Sequence, residues 1–277
     1  MKAILAVIAC VGLSPLVSFG RDFHIGETVY PREGTQARVD GAIVDLKTIP
    51  QFSFQPEVGK IDGDWLWLEK GWVRKKDVMR AREAVEYYTE QVRLKPTQAS
   101  LWRILGSAWK HSGVSEQNEH ALKNFTEAIR LDPNDAQTFV ARGSVWANRY
   151  SNEGSNNSIK DFSEAIRLAP NDATAYHLRG KIWSRIGEID KEIRDQTEAI
   201  RLDPSNAEYH EHRGLIYQQI GDLDHFLADY SEVARLCDVG TANHEDYRSV
   251  FKSLAWFRAT WPDDRYRDGK QAVEYAT

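Results

Sequence analysis

The sequence predicts an α+β multidomain chain in which a short strand-forming domain precedes an all-α solenoid, and three observations carry that reading. The phrase ALKNFTEAIRLDP, Ala121 to Pro133, returns as SIKDFSEAIRLAP from Ser158 and EIRDQTEAIRLDP from Glu192, with weaker copies at Ala84 to Pro96 and Phe226 to Asp238. Pro96, Pro133, Pro170 and Pro204 stand 37, 37 and 34 residues apart, a period at which each unit buries its apolar face only by stacking on its neighbours. From Phe23 to about Met79, by contrast, Gly, Pro and Asp punctuate short apolar runs, as they do between strands.

Taken in order, residues 1–20, MKAILAVIACVGLSPLVSFG, join one lysine to an apolar run, a helix-breaking Pro15 and the small Ser18 and Gly20. This is the pattern of a secretory signal peptide cut after Gly20. A membrane anchor is the rival reading, against which the run is short and interrupted. Val7-Ile8-Ala9-Cys10 faintly resembles a lipoprotein cleavage box but lies too near the start. The expected product is secreted, periplasmic or in the cell envelope, with no stable membrane span after cleavage. It keeps a single cysteine, Cys237, so its core alone must hold it. The chain has 36 Lys and Arg against 41 Asp and Glu, a net charge of -5, and no charge block of one sign. That balance argues against nucleic acid or an acidic membrane as the main partner.

Residues 21–78 form the strand-rich domain. Asp62-Gly63-Asp64 separates Val58–Ile61 from Trp65–Leu68 as a hairpin turn, and a second turn falls at Lys70 before Gly71-Trp72-Val73. Trp65 and Trp67 share one strand face, Leu66 and Leu68 the other. One set fills the interior; the other is either a ligand platform or covered, and burial is the expectation for tryptophan. The phrase GDWLWLEKGWV followed by KKDV resembles the end of a bacterial SH3-like barrel. The resemblance implies a small SH3-like β-barrel and a bacterial source. In some such domains aromatic surfaces bind proline-rich peptides or cell-wall fragments.

Asp77 to Leu94 then reads as one helix, capped by Asp77 or a neighbour. It lacks a preceding partner helix, and the barrel is expected to stand in and cap the solenoid. Six residues past each proline stands a large side chain, four further on a glycine, and three beyond that an aromatic. The sets are Trp102, Gly106, Trp109; Phe139, Gly143, Trp146; Tyr176, Gly180, Trp183; and the looser His210, Gly214, Tyr217. This resembles the tetratricopeptide repeat (TPR), an antiparallel pair of helices, A and B, per unit. The resemblance implies a TPR solenoid over 79–240, with a half repeat at 79–98 and repeats at 99–135, 136–172, 173–206 and 207–240. A degenerate repeat or cap follows at 241–277, with helices at 245–260, ended by Pro262, and in RDGKQAVEYAT; the latter is expected to be an incomplete cap.

Glycine inside a helix costs about 1 kcal/mol relative to alanine, so these glycines need a packing reason, the close approach of helix B to helix A. The facing small position holds Ala84, Ala121 and Ser158 but then Glu192 and Phe226. The hairpins are therefore expected to loosen toward the C-terminus. Three extra residues between the helices of the first two full units, in HSGVSEQNEH and RYSNEGSNNS, read as solvated loops or, alternatively, a recognition edge. Arg142, Arg179 and Arg213 precede repeat glycines, while Asp161, Asp195 and Asp229 hold one position on helix B. Where Leu105 replaces the arginine, Asn124 replaces the aspartate. The covariation predicts the ion pairs 142–161, 179–195 and 213–229.

No GxSxG, HExxH, GxxxxGK[ST] or CxxC is present. No enzyme, cofactor or metal is expected. Asp62 and Asp64 lack the other ligands of a calcium loop, and His210 and His212, two apart on a helix, face different ways. In the TPR family one face of each helix A lines a concave groove that receives peptides. By repeat position that face holds Ser100, Arg103, Ser107 and Lys110; Gln137, Val140, Ser144 and Asn148; His177, Lys181 and Arg185; and Glu208, Glu211 and Gln218. Val140 and Ser144 interrupt the family's carboxylate clamp. The leading expectation is an exported scaffold binding a protein or peptide in this groove. The alternative is a wall- or envelope-binding protein anchored through the barrel.

Overall fold

The structure is a computed structural model describing residues 23–32, 35–39, 42–45, 56–68, 71–238, 247–260 and 266–276. The expected signal peptide, the turn at Lys70 and the stop at Pro262 lie outside the described residues. Two compact units divide between Glu86 and Tyr87.

In the first unit β1 (Tyr30–Pro31) pairs antiparallel with β7 (Val78–Met79). A five-stranded antiparallel sheet is formed by β2 (Gln36–Val39), β3 (Ala42–Asp45), β4 (Val58–Asp62), β5 (Trp65–Leu68) and β6 (Gly71–Arg74), in the order β3-β2-β6-β5-β4. Among the described residues this sheet does not close, and β3 and β4 are its edges. The hairpin turn joins β4 to β5, with Gly63 at φ 53°, a left-handed conformation glycine adopts freely. Leu66 and Leu68 are fully buried with Val29, Val58 and Val73.

The tryptophan face is only half buried, which corrects the expectation that it is covered. The guanidinium groups of Arg38 and Arg74 lie 4.9 and 5.2 Å from the Trp65 ring, and Trp67 meets Trp72 edge-on at 5.5 Å. Cation–π contact and a neighbouring ring shield the indoles partly and leave them reachable by water.

The helix expected over Asp77 to Leu94 also starts later. Lys75–Asp77 is a 3-10 turn, and α1 spans Ala81–Leu94. Buried Val78 and Met79 take strand geometry because Tyr30 and Pro31 offer them a ladder.

The repeats follow as helix pairs: α2 (Ala99–Lys110) and α3 (Gln117–Leu131), α4 (Ala136–Ala147) and α5 (Asn152–Leu168), α6 (Ala173–Arg185) and α7 (Ile189–Leu202), α8 (Ala207–Ile220) and α9 (Leu223–Asp238). Helices α10 (Arg248–Thr260) and α11 (Gly269–Ala276) complete the chain. Three A helices begin on an acceptor two residues beyond the proline: Asp135, Asp172 and Asn206 each take the backbone N–H two residues on. Proline stops each preceding helix, and its successor is capped almost at once.

The second long insertion is not a loop. Its residues extend α5 at the N-terminus, with Ser151 capping through the N–H of Gly154, and Gly154 and Ser155 are buried. A side chain at Gly154 would run into the carbonyl oxygens of Arg149 and Trp146, so glycine permits the extra turn. The first insertion is looped as far as Glu116.

The hairpins do not loosen. A Cβ at Gly106 would meet the Phe125 ring at 2.8 Å, at Gly143 the Phe162 ring at 2.9 Å, and at Gly214 the Tyr230 ring at 2.6 Å. The approach is set by glycine against the side chain it faces, and Phe226 at the small position is simply absorbed into the core.

All three expected ion pairs form. Arg142, Arg179 and Arg213 each donate through Nε and Nη2 to both carboxylate oxygens of Asp161, Asp195 and Asp229, at 2.7–2.9 Å. Each Nη1 then reaches back to a hydroxyl of the preceding unit's helix B, on Thr126, Ser163 and Thr197. The pair thus joins two helices within a unit and two units to each other. In the first unit Asn124 turns instead to the carbonyl of His120.

Candidate functional site

The A helices place the groove candidates next to one another, to different depths. Ser107 and Arg103 are buried, and Arg103 reaches Asp135 at 3.1 Å and the Gln137 side chain at 3.3 Å. The cation expected to meet a ligand here is therefore held by the next unit's cap. Lys110 is partly buried, which lowers its pKa. Gln137 and Asn148 are exposed, and Ser144 bonds the carbonyl of Val140. Exposed Arg185 donates to the Ala147 carbonyl at 2.7 Å and lies 4.7 Å from the Tyr150 ring. Gln218 is exposed, and Glu211 is half buried with its pKa raised by burial and by Glu208.

Glu208 is the hub of the third and fourth repeats. Its Oε1 lies 3.2 Å from Nε2 of His177, 3.7 Å from Nζ of Lys181 and 3.9 Å from Nε2 of His212. The hydrogen bond with His177 leads in lowering its carboxyl to about 2, against burial and with help from Lys181 and His212. His212 is pushed down to about 4, first by burial, then by His177 and Lys181. Glu208 thus faces the basic side chain of the preceding helix A, Lys181.

Behind this hub lies Gln196, fully buried on α7. Its Oε1 is 2.9 Å from Nδ1 of His177 and its Nε2 points at the His177 carbonyl at 3.4 Å. The separation of His210 and His212 holds: His210 bonds Asp229 and the Pro204 carbonyl, while His212 turns to Glu208. The clustering of His177, Glu208 and His212 was missed because it crosses repeats. Two signals could have found it. Glu208 and His212 are four apart on one helix, and Gln196 stands where the other units carry Tyr88, Phe125, Phe162 and Tyr230.

A second feature, also unforeseen, is a cavity of about 540 Å³ lined by Leu223, Phe226, Trp256 and Phe257 together with Gln218, Lys252 and Ser253, with Trp256 exposed. No described helix is long and apolar enough to cross a membrane.

No family model and no curated relative matches the chain. Solved structures do. A MamA fragment from Desulfovibrio magneticus RS-1 is 22% identical with TM-score 0.53, over 58% of this chain and 88% of that one. YrrB, titled a TPR protein with an unusual peptide-binding site, is 14% identical with TM-score 0.53, over 69% and 93%. A thermophilic TPR protein of Thermus thermophilus, TTC0263, is 18% identical with TM-score 0.50, over 62% and 90%. At these identities the likeness establishes the fold: the helical repeats form a TPR-like solenoid.

Proposed function

We propose that the protein is a non-catalytic interaction scaffold whose helix-A face binds a peptide or protein. One observation carries this reading. Side chains at the groove positions reach a neighbouring helix A, Arg103 to Gln137, Arg185 back to the Ala147 carbonyl, and His177 and Lys181 to Glu208, so that polar contacts link each A helix to the one beside it. Exposed Lys181 and Arg185 lie on this face with exposed Asn148 and Gln137, which suits an extended chain carrying carboxylates. A TPR neighbour whose title names a peptide-binding site supports the same use of the fold.

The test is capture from a native extract by the full chain. Lys181→Glu with Arg185→Glu should lower it, as should added salt, because exposed charges are screened within about 8 Å at physiological ionic strength. Helical circular dichroism should stay unchanged. Capture that survives the double reversal would remove the groove from consideration.

A second reading is favoured by the half-exposed Trp65 and its flanking arginines. Here the N-terminal sheet is an SH3-like module that holds a wall or envelope component, with the solenoid as spacer. Trp65→Ala would then abolish capture where the groove reversal leaves it intact. The leader-like pattern of residues 1–20 supports an exported, secreted or periplasmic site of action for either reading.

A further inference from the structure

We propose that His177, Glu208 and His212 form a binding site for a late first-row divalent cation such as Zn²⁺ or Ni²⁺, at the junction of the third and fourth repeats. This does not depend on any peptide in the groove. Each residue offers one ligand atom, and the three atoms lie within 4.8 Å of one another. Two imidazoles and a carboxylate are a donor set that suits Zn²⁺, Ni²⁺, Co²⁺ or Cu²⁺ and disfavours Mg²⁺ and Ca²⁺.

Ligands about 2.1 Å from a tetrahedral ion stand roughly 3.4 Å apart. Two of the separations, 3.2 Å and 3.9 Å, already bracket that value. The widest gap, between the two imidazoles, closes by turning His212, whose side chain is 28% exposed. Three protein ligands leave a coordination position open toward solvent.

The surroundings hold the His177 ring in position for a ligand at Nε2. The Gln196 amide nitrogen faces the His177 carbonyl, so its oxygen faces Nδ1 and calls for a proton there. The other ring nitrogen, Nε2, is thereby turned toward Oε1 of Glu208, 3.2 Å away. A buried second partner fixing the other ring nitrogen is what metal-ligating histidines require.

Nor does packing explain these residues. Gln196 replaces an aromatic ring, and His212 stands where the preceding units carry Ile104, Ala141 and Leu178. Two apolar positions have thus become polar at one junction, a change that costs stability unless the groups are satisfied. Lys181 is the competitor, since its ammonium lies 3.7 Å from the same oxygen on a side chain that is 43% exposed and free to swing out.

The test titrates the tag-free full chain at neutral pH with Zn²⁺ or Ni²⁺ alone, read by calorimetry and, for Zn²⁺, by the ring-nitrogen resonances of the histidines. One equivalent should bind, and the His177 and His212 resonances should both shift. Glu208→Gln and His212→Gln should each weaken binding by more than about tenfold, and Lys181→Met should strengthen it. Absence of binding at millimolar metal, binding undiminished in both variants, or resonances of His177 and His212 that stay put would each overturn the site. The last readout needs no variant, so it stands even if a substitution disturbs folding.

Discussion

Arg142, Arg179 and Arg213 show how one side chain can do two jobs that a surface ion pair cannot. Their carboxylate partners are almost completely buried, with Asp161 4% and Asp229 5% exposed, whereas the recurrent Glu164–Arg167 type of pair lies in solvent. Breaking a buried pair strands a charge, and breaking an exposed one does not. Asp161→Ala should therefore cost about 3 kcal/mol in urea unfolding, while Glu164→Ala leaves the midpoint nearly unchanged. The pH dependence follows from the same geometry. Burial pushes the Asp229 carboxyl up, but hydrogen bonds from Arg213 and His210 outweigh it and hold it below its ordinary 3.8. A depressed folded value means stability that is present above 3.8 and lost as pH falls through the lowered value. Thermal melts below about pH 4 should then show a shallower acid loss in Asp229→Asn than in the parent.

Each helix hairpin is decided by one glycine and what faces it. At Gly143 a methyl group would press on the Phe162 ring, a rigid body in a filled core, at 2.9 Å. Overpacking costs about 1–3 kcal/mol, which exceeds the roughly 1 kcal/mol that alanine gains by helix propensity. Gly143→Ala should lower the unfolding free energy by up to about 2 kcal/mol. Gly180→Ala should be milder, since the atom it meets is the amide nitrogen of Gln196 at 2.8 Å, the end of a longer side chain. Its signature is a change in the His177 ring-nitrogen resonance, because Gln196 would leave its place. In α5 the obstacle is backbone, so Gly154→Ala should unwind the extra turn, visible as a loss of amide exchange protection at 152–155.

The boundary between the two compact units falls within α1, so one continuous helix belongs to both. Deleting residues 21–76 removes the strands of the first unit up to β6 and leaves that helix at the end of a repeat array, where an uncapped apolar face is poorly tolerated. The apolar residues of that helix include Val85, Tyr88 and Val92. The truncated chain should melt earlier or aggregate. Two separate transitions in the intact protein, with the repeat transition untouched by the deletion, would contradict the coupling.

The helical repeat, its period, its glycines and the Arg–Asp pairs could all be read from the residues, because four copies of one unit act as their own alignment and any interaction inside a unit recurs at fixed spacing. The strand positions of Trp65–Leu68 were legible for the same reason, since alternation is local. What only the tertiary structure decided lies between units or depends on a partner far along the chain. Val78 and Met79 joined a strand rather than a helix because Tyr30 and Pro31 supply the ladder. Arg103 was spent on Asp135, and Glu208 was drawn to Lys181 and two histidines, because stacking brings successive A helices within reach. A departure from the repeat, Gln196 for an aromatic or His212 for an apolar residue, is visible in the sequence. Which groups it meets is set by how neighbouring units pack, and packing of that kind leaves no periodic trace.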